Sequence, residues 1–107
     1  MWLHGEVRTP PLTTVARVEA GLLLRRLQRG ESLGLPQSRP MPAIGGRCHE
    51  LRVVDASAAW RIVYRIDADA IVVAEVFAKK SRATPRSVVD ACKRRLCAYD
   101  AIAGEKE

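Results

Sequence analysis

Residues 70–77, Ala-Ile-Val-Val-Ala-Glu-Val-Phe, are almost wholly apolar and rich in β-branched side chains. The run is too short for an independent helix, and its composition suits a strand buried on both faces, so it is expected to be a central strand. Two strand-like segments precede it. Residues 48–54 alternate in part, and residues 60–66 read Trp-Arg-Ile-Val-Tyr-Arg-Ile. Asp55-Ala56-Ser57-Ala58 and Asp67-Ala68-Asp69 between them are short and polar enough to be hairpin turns. A three-stranded antiparallel meander is the expected result.

Helical patterns flank the meander. Val15, Val18, Leu22, Leu23, Leu24 and Leu27 recur at helical spacing, with Thr13 or Thr14 as a capping hydroxyl and Gly30 as the stop. A helix over residues 14–29 is expected. Thr84-Pro85 announces a second helix, a cap followed by proline at the first helical position. Val88, Val89, Cys92, Leu96 and Tyr99 form its apolar face, and it should end around residues 100–103, before Gly104. Residues 30–47 contain four glycines and three prolines and read as an irregular connection, with a helical turn near Leu33 to Leu35. Residues 1–7 read as a short strand or the remnant of one. The fold class is therefore α+β: a small antiparallel sheet, the N-terminal helix on one face, and a C-terminal helix. One sheet face is expected to be covered and the other left open. The 107 residues suit a single domain.

Strand parity points to the open face. If Leu51 and Val53 pack on the helices, Glu50 and Arg52 point away from them. In the next strand, Arg61, Val63 and Arg65 share one side, and Trp60, Ile62, Tyr64 and Ile66 the other. Burying arginines among apolar side chains costs several kcal/mol of desolvation, so Arg61 should join Arg52 on the open face. Lys79 and Lys80 follow the third strand and complete a basic patch. Arg47, Arg65 and Arg82 extend it as candidate RNA-binding positions. Such a patch suits RNA, because guanidinium and ammonium groups bind phosphates and neutralise charge that develops on them. It is equally the composition of a solvated sheet face. His49 is of a residue type suited to a general base, but alternation sends it toward the helices, where a structural hydrogen bond is the favoured reading. Glu50 is either a proton acceptor or the ion-pair partner of Arg52 or Arg61. Tyr64 and Tyr99 read as packing residues, and Lys93-Arg94-Arg95 as a solvated helix face.

The formal net charge of +6 favours an anionic partner. The three cysteines, Cys48, Cys92 and Cys97, form no CxxC pair, and Cys48-His49 lacks zinc-site spacing, so neither a disulfide framework nor a metal site is expected. No apolar run approaches a membrane span and no signal peptide is visible, which makes the cytoplasm the expected compartment.

Four blocks then carry a resemblance. Ser38-Arg39-Pro40-Met41-Pro42-Ala43-Ile44-Gly45, Cys48-His49-Glu50-Leu51-Arg52, Trp60-Arg61-Ile62-Val63-Tyr64 and Val76-Phe77-Ala78-Lys79-Lys80 through Thr84-Pro85 resemble the phage-related, HigB-like branch of the RelE/ParE toxin superfamily. The likeness spans residues 2–100. It implies a RelE-like fold and the toxin of a type II toxin–antitoxin pair. The implied activity is ribosome-dependent mRNA endoribonuclease action without metal or cofactor. By motif, Arg61, Arg52 and Lys80 match basic catalytic positions of the family, and Glu50 stands where RelE itself has a lysine. The implied partners are mRNA on the ribosome and a helix-turn-helix, HigA-like antitoxin that contacts the basic face or its rim. A ParE-like gyrase inhibitor, or an inactive antitoxin-binding relative, is the alternative. Family members usually carry several residues before the match to Trp2, which raises an internal start codon or a trimmed first strand.

Overall fold

A computed structural model describes residues 13–54, 59–78 and 83–105. In chain order the elements are α1 (Thr14–Gln28), β1 (Ser38–Pro40), β2 (Cys48–Val54), β3 (Ala59–Ile66), β4 (Ile71–Ala78) and α2 (Arg86–Glu105). The strands form one antiparallel sheet in the order β1-β2-β3-β4. The α+β class and the meander are as expected. The expected strand at residues 1–7 and the turn at residues 55–58 lie outside the described residues.

Local chemistry sets both ends of α1. The Thr13 hydroxyl accepts from the Ala16 amide at 3.2 Å and so satisfies one of the free donors of the first turn. At the other end Gly30 takes φ 87°, which costs a glycine nothing. The Gly30 amide then reaches the Leu27 carbonyl and the Glu31 amide reaches that of Arg26, a Schellman closure. The buried face of α1 differs from the expected stripe. Ala16, Ala20, Leu23 and Leu27 enter the core, while Val15, Val18 and Leu22 are 69%, 60% and 56% exposed. Both sets have helical spacing. The alanines face inward because small side chains let the helix backbone approach the sheet.

The irregular connection holds a strand that composition concealed. β1 pairs with β2, Ser38 opposite Leu51, Arg39 opposite Glu50 and Pro40 opposite His49. The Arg52 amide donates to the Gln37 carbonyl at 2.7 Å and the Met41 amide to that of Cys48 at 2.8 Å, bracketing the pair. Pro40 is tolerated because, among the described residues, β1 lies at the sheet edge. The backbone turns at residues 35–37 rather than at Leu33 to Leu35. Inward from β1, the Ser38 and Tyr64 hydroxyls share a buried hydrogen bond of 2.6 Å.

Both sheet faces are packed. On one, α1 covers Leu51, Val53, Ile62, Tyr64 and Val73. On the other, Cys92 and Leu96 of α2 cover Cys48, Val63, Val72 and Ala74. β4 is thus buried on both faces, as its composition demands, but among the described residues it lies at the sheet edge rather than at its centre. The pairing slips between Val63 and Tyr64, which face Glu75 and Val73 respectively. This bulge turns Glu75 as well as Ala74 toward α2. Arg95 donates to both the Glu75 carboxylate and the Ala74 carbonyl at 2.9 Å, so it pins α2 to the bulge rather than lying on a solvated face. The expectation of a wholly open second face is therefore corrected: α2 closes the part of it nearest Arg65. Inside that packing Cys92 is pushed up to about 12, mainly by burial, and its thiol stays protonated. α2 runs on to Glu105, past the expected stop before Gly104.

Tyr64→Phe leaves the Ser38 hydroxyl buried without its partner. It should destabilise the fold by about 1–2 kcal/mol, measured as a lower urea midpoint at unchanged slope.

Candidate anion-binding cleft

The cleft begins with strand register. Arg52 and Arg61 lie directly opposite one another on β2 and β3, and Arg39 lies opposite Glu50 on β1 and β2. Alternation puts all four side chains on the face that α2 covers only in part. Like charges directly opposite each other across strands are unfavourable. Glu50, diagonal to Arg61, offsets this: Arg61 Nε donates to Glu50 Oε1 at 3.1 Å. Arg39 Nη2 reaches the same oxygen at 3.2 Å. The Thr84 hydroxyl, just before α2, donates to Glu50 Oε2 and lies 3.4 Å from Arg39 Nη2. The Glu50 side chain is 1% exposed against 41% for Arg39 and 12% for Arg61. Burial, opposed by Glu50, pushes Arg61 below the usual guanidinium range, and the charges of Arg52 and Arg39 push the same way.

Around these groups opens a cleft of about 240 Å³, lined by Leu35, Pro36, Arg39, Glu50, Arg52 and Arg61. Among the described residues three guanidiniums and one carboxylate leave it a net charge of +2, and Leu35-Pro36 forms an apolar wall. A larger hollow of about 460 Å³ lies between the end of α1 and the β3–β4 turn. Among the described residues its lining includes Asp67 and Asp69 but no arginine or lysine. A third hollow, of about 280 Å³, is lined by Arg47, Arg65 and Lys93, but there Arg65 is taken up by Asp67 and Asp100, so the cleft at Arg61 is the better fit for a phosphate.

The expected site residues separate into groups. Arg52, Arg61 and Glu50 come together. Glu50 accepts from Arg61, Arg39 and Thr84, which matches the ion-pair reading of this residue. Lys79, Lys80 and Arg82 lie outside the described residues; the chain enters that segment from Ala78, opposite Trp60. Arg65, expected on the RNA-binding surface, lies apart from this group. Four residues along β3 from Arg61, about 13 Å away, it is buried and gives two hydrogen bonds each to Asp67 and Asp100, of 2.7–2.9 Å. Those bonds, Asp100 first, raise it above the usual guanidinium range. A buried guanidinium held by two carboxylates is a structural pin. Arg47, with φ 63°, lies beside it at the far end of β2, 3.8 Å from Asp67, and is not part of the cleft. His49 stacks on Tyr64 at 5.4 Å between ring centres and its Nδ1 lies 3.2 Å from the Arg47 carbonyl, away from the arginines. Tyr64 is buried and Tyr99 packs beside Arg65.

Sequence reasoning passed over two contributors. Arg39 sits in a Pro-rich stretch that reads as loop, and only the Ser-Arg-Pro block hinted at it. Thr84 reads as a helix cap, whereas its hydroxyl serves Glu50.

Residues 12–97 match the model of the phage-derived Gp49-like proteins (DUF891). The chain belongs to the Gp49-like family. That family is one of RelE-like toxins, and a toxin family suggests an antitoxin partner. No curated protein matches the sequence significantly. Among the described residues no helix of this Gp49-like chain is long and apolar enough to cross a membrane.

Arg65 makes the attachment of α2 sensitive to acid. Its hydrogen bonds hold the Asp100 carboxyl below the ordinary 3.8. A carboxyl depressed in the folded state stabilises fully above its unfolded value and loses that effect as pH falls through the folded value. The melting-temperature gap between wild type and Asp100→Asn should be widest at neutral pH and close below about pH 3.8. A gap that stays unchanged as the pH falls well below 3.8 would contradict it.

Proposed function

We propose that this Gp49-like protein is the toxin of a type II toxin–antitoxin pair and acts as a metal-independent, ribosome-dependent mRNA endoribonuclease in the cytoplasm. The reading rests on one observation above all: Arg39, Arg52 and Arg61 converge on an open cleft of about 240 Å³, roomy enough for a phosphate. When a 2′-hydroxyl loses its proton and attacks the neighbouring phosphodiester, the P–O5′ bond breaks, the 5′ oxygen takes up a proton, and a 2′,3′-cyclic phosphate forms; on the way, negative charge builds on the non-bridging oxygens. Fixed guanidinium groups donate to those oxygens and stabilise that charge. Arg61 and Arg52 are the proposed catalytic cations, with Arg39 as a third. Lys80, just beyond β4, is the proposed proton-handling or phosphate-binding group, and Lys79 and Arg82 are proposed to hold the flanking RNA. Glu50, closed off and bonded through both oxygens, suits a holding role better than proton transfer.

The proposed partner is a helix-turn-helix, HigA-like antitoxin that covers the basic cleft or its rim. Complementary charge would speed its capture.

Primer extension on mRNA after induction tests the activity. Cuts inside translated codons are expected; intact transcripts together with an induced DNA-damage response would point to gyrase and end this reading. Arg61→Ala should lower cleavage by about 100-fold or more and relieve toxicity while the protein still folds. Undiminished toxicity would remove Arg61 from the site.

A further inference from the structure

Among the described residues Glu50 is the one carboxylate lining the cleft, and it is the least exposed group there. It touches arginines on two different strands and a hydroxyl at the start of α2. Thr84 Oγ1 donates to Glu50 Oε2 and is placed to accept from Arg39 Nη2, which also meets Glu50 Oε1. These three side chains, from β1, β2 and the residues before α2, close a ring. Arg61 is fixed from the same carboxylate. With Nε on Glu50 and Nη1 on the Trp60 carbonyl at 3.2 Å, its Nη2 is the nitrogen left for an anion.

We infer that Glu50 and Thr84 are positioning residues: they aim Arg39 and Arg61 into the cleft and make its grip on a phosphate depend on how the start of α2 is seated. The inference rests on the reading of the cleft as a phosphate site. A free arginine side chain spends rotamer entropy on each anion it binds. One anchored at a single edge has already lost that freedom on folding, and its remaining donors keep a fixed direction. Arg39 is 41% exposed, long, and on a three-residue edge strand, so it gains most from such an anchor. The ring reaches this arginine through Thr84, and Thr84 lies one residue before Pro85, whose carbonyl accepts from the Val88 and Val89 amides at the start of α2. A shift of α2 would therefore be felt at the arginines.

Titration of the full chain with inorganic phosphate at low ionic strength, followed through the arginine Nε–Hε resonances, separates the ideas. Thr84→Val keeps shape and charge but removes the hydroxyl. It should weaken phosphate binding about fivefold, the effect of one hydrogen bond, and shift the Arg39 and Arg61 resonances; Thr84→Ser should restore both. Glu50→Asp keeps the charge but retracts the carboxylate by one methylene, and should weaken binding at least as much. Phosphate affinity unchanged in Thr84→Val and Glu50→Asp overturns the inference, even if melting temperatures fall, since the contacts would then be structural alone. If wild type binds no phosphate, or Arg61→Ala binds as well as wild type, the cleft reading itself fails and the inference with it.

Discussion

Two guanidiniums on one side of one strand have to be neutralised, and much of this structure follows from how that is done. Arg61 and Arg65 both point from β3 to the face opposite α1. Neither is freely solvated, so each needs carboxylates close by. Glu50 of β2 serves Arg61. Asp67, in the turn after β3, and Asp100, late in α2, serve Arg65.

The two solutions divide the face. Asp100 can reach Arg65 only if α2 crosses that end of the sheet, and the crossing buries Val63, Val72 and Ala74 beneath Cys92 and Leu96. Arg95 and the β4 bulge fix the same helix at a second point. The other end stays open. There a buried glutamate, rather than a helix, balances part of the charge, and three arginines remain around an accessible cleft. An open cleft and a packed helix thus use the same residue type four positions apart on one strand.

Much of this was legible in the chain. Period-two alternation placed Trp60, Ile62 and Tyr64 inward and Arg61 outward. It also brought Arg52 beside Arg61 and turned His49 away from them. Alternation is a property of single strands, so it needs no knowledge of partners. The same rule treated Arg61 and Arg65 alike. It had no means to tell that one would be captured by an aspartate thirty-five positions away. Arg39 escaped notice because a three-residue strand containing proline has no periodicity to detect; only its register with β2 makes it a strand. Val15, Val18 and Leu22 share helical spacing with the residues that are buried, and the choice between two apolar stripes is made by the sheet they meet.

By itself, then, the sequence determined the α+β class, the antiparallel meander, the ends of α1 and the pairing of Arg52 with Arg61, because caps, turns and alternation act over a few residues. The tertiary structure alone decided which arginines remain open, that Glu50 lies closed beneath them, and that Thr84 joins α2 to the cleft. Those outcomes depend on carboxylates and hydroxyls that meet their partners across the fold, where charge and burial are settled by neighbours distant in the chain.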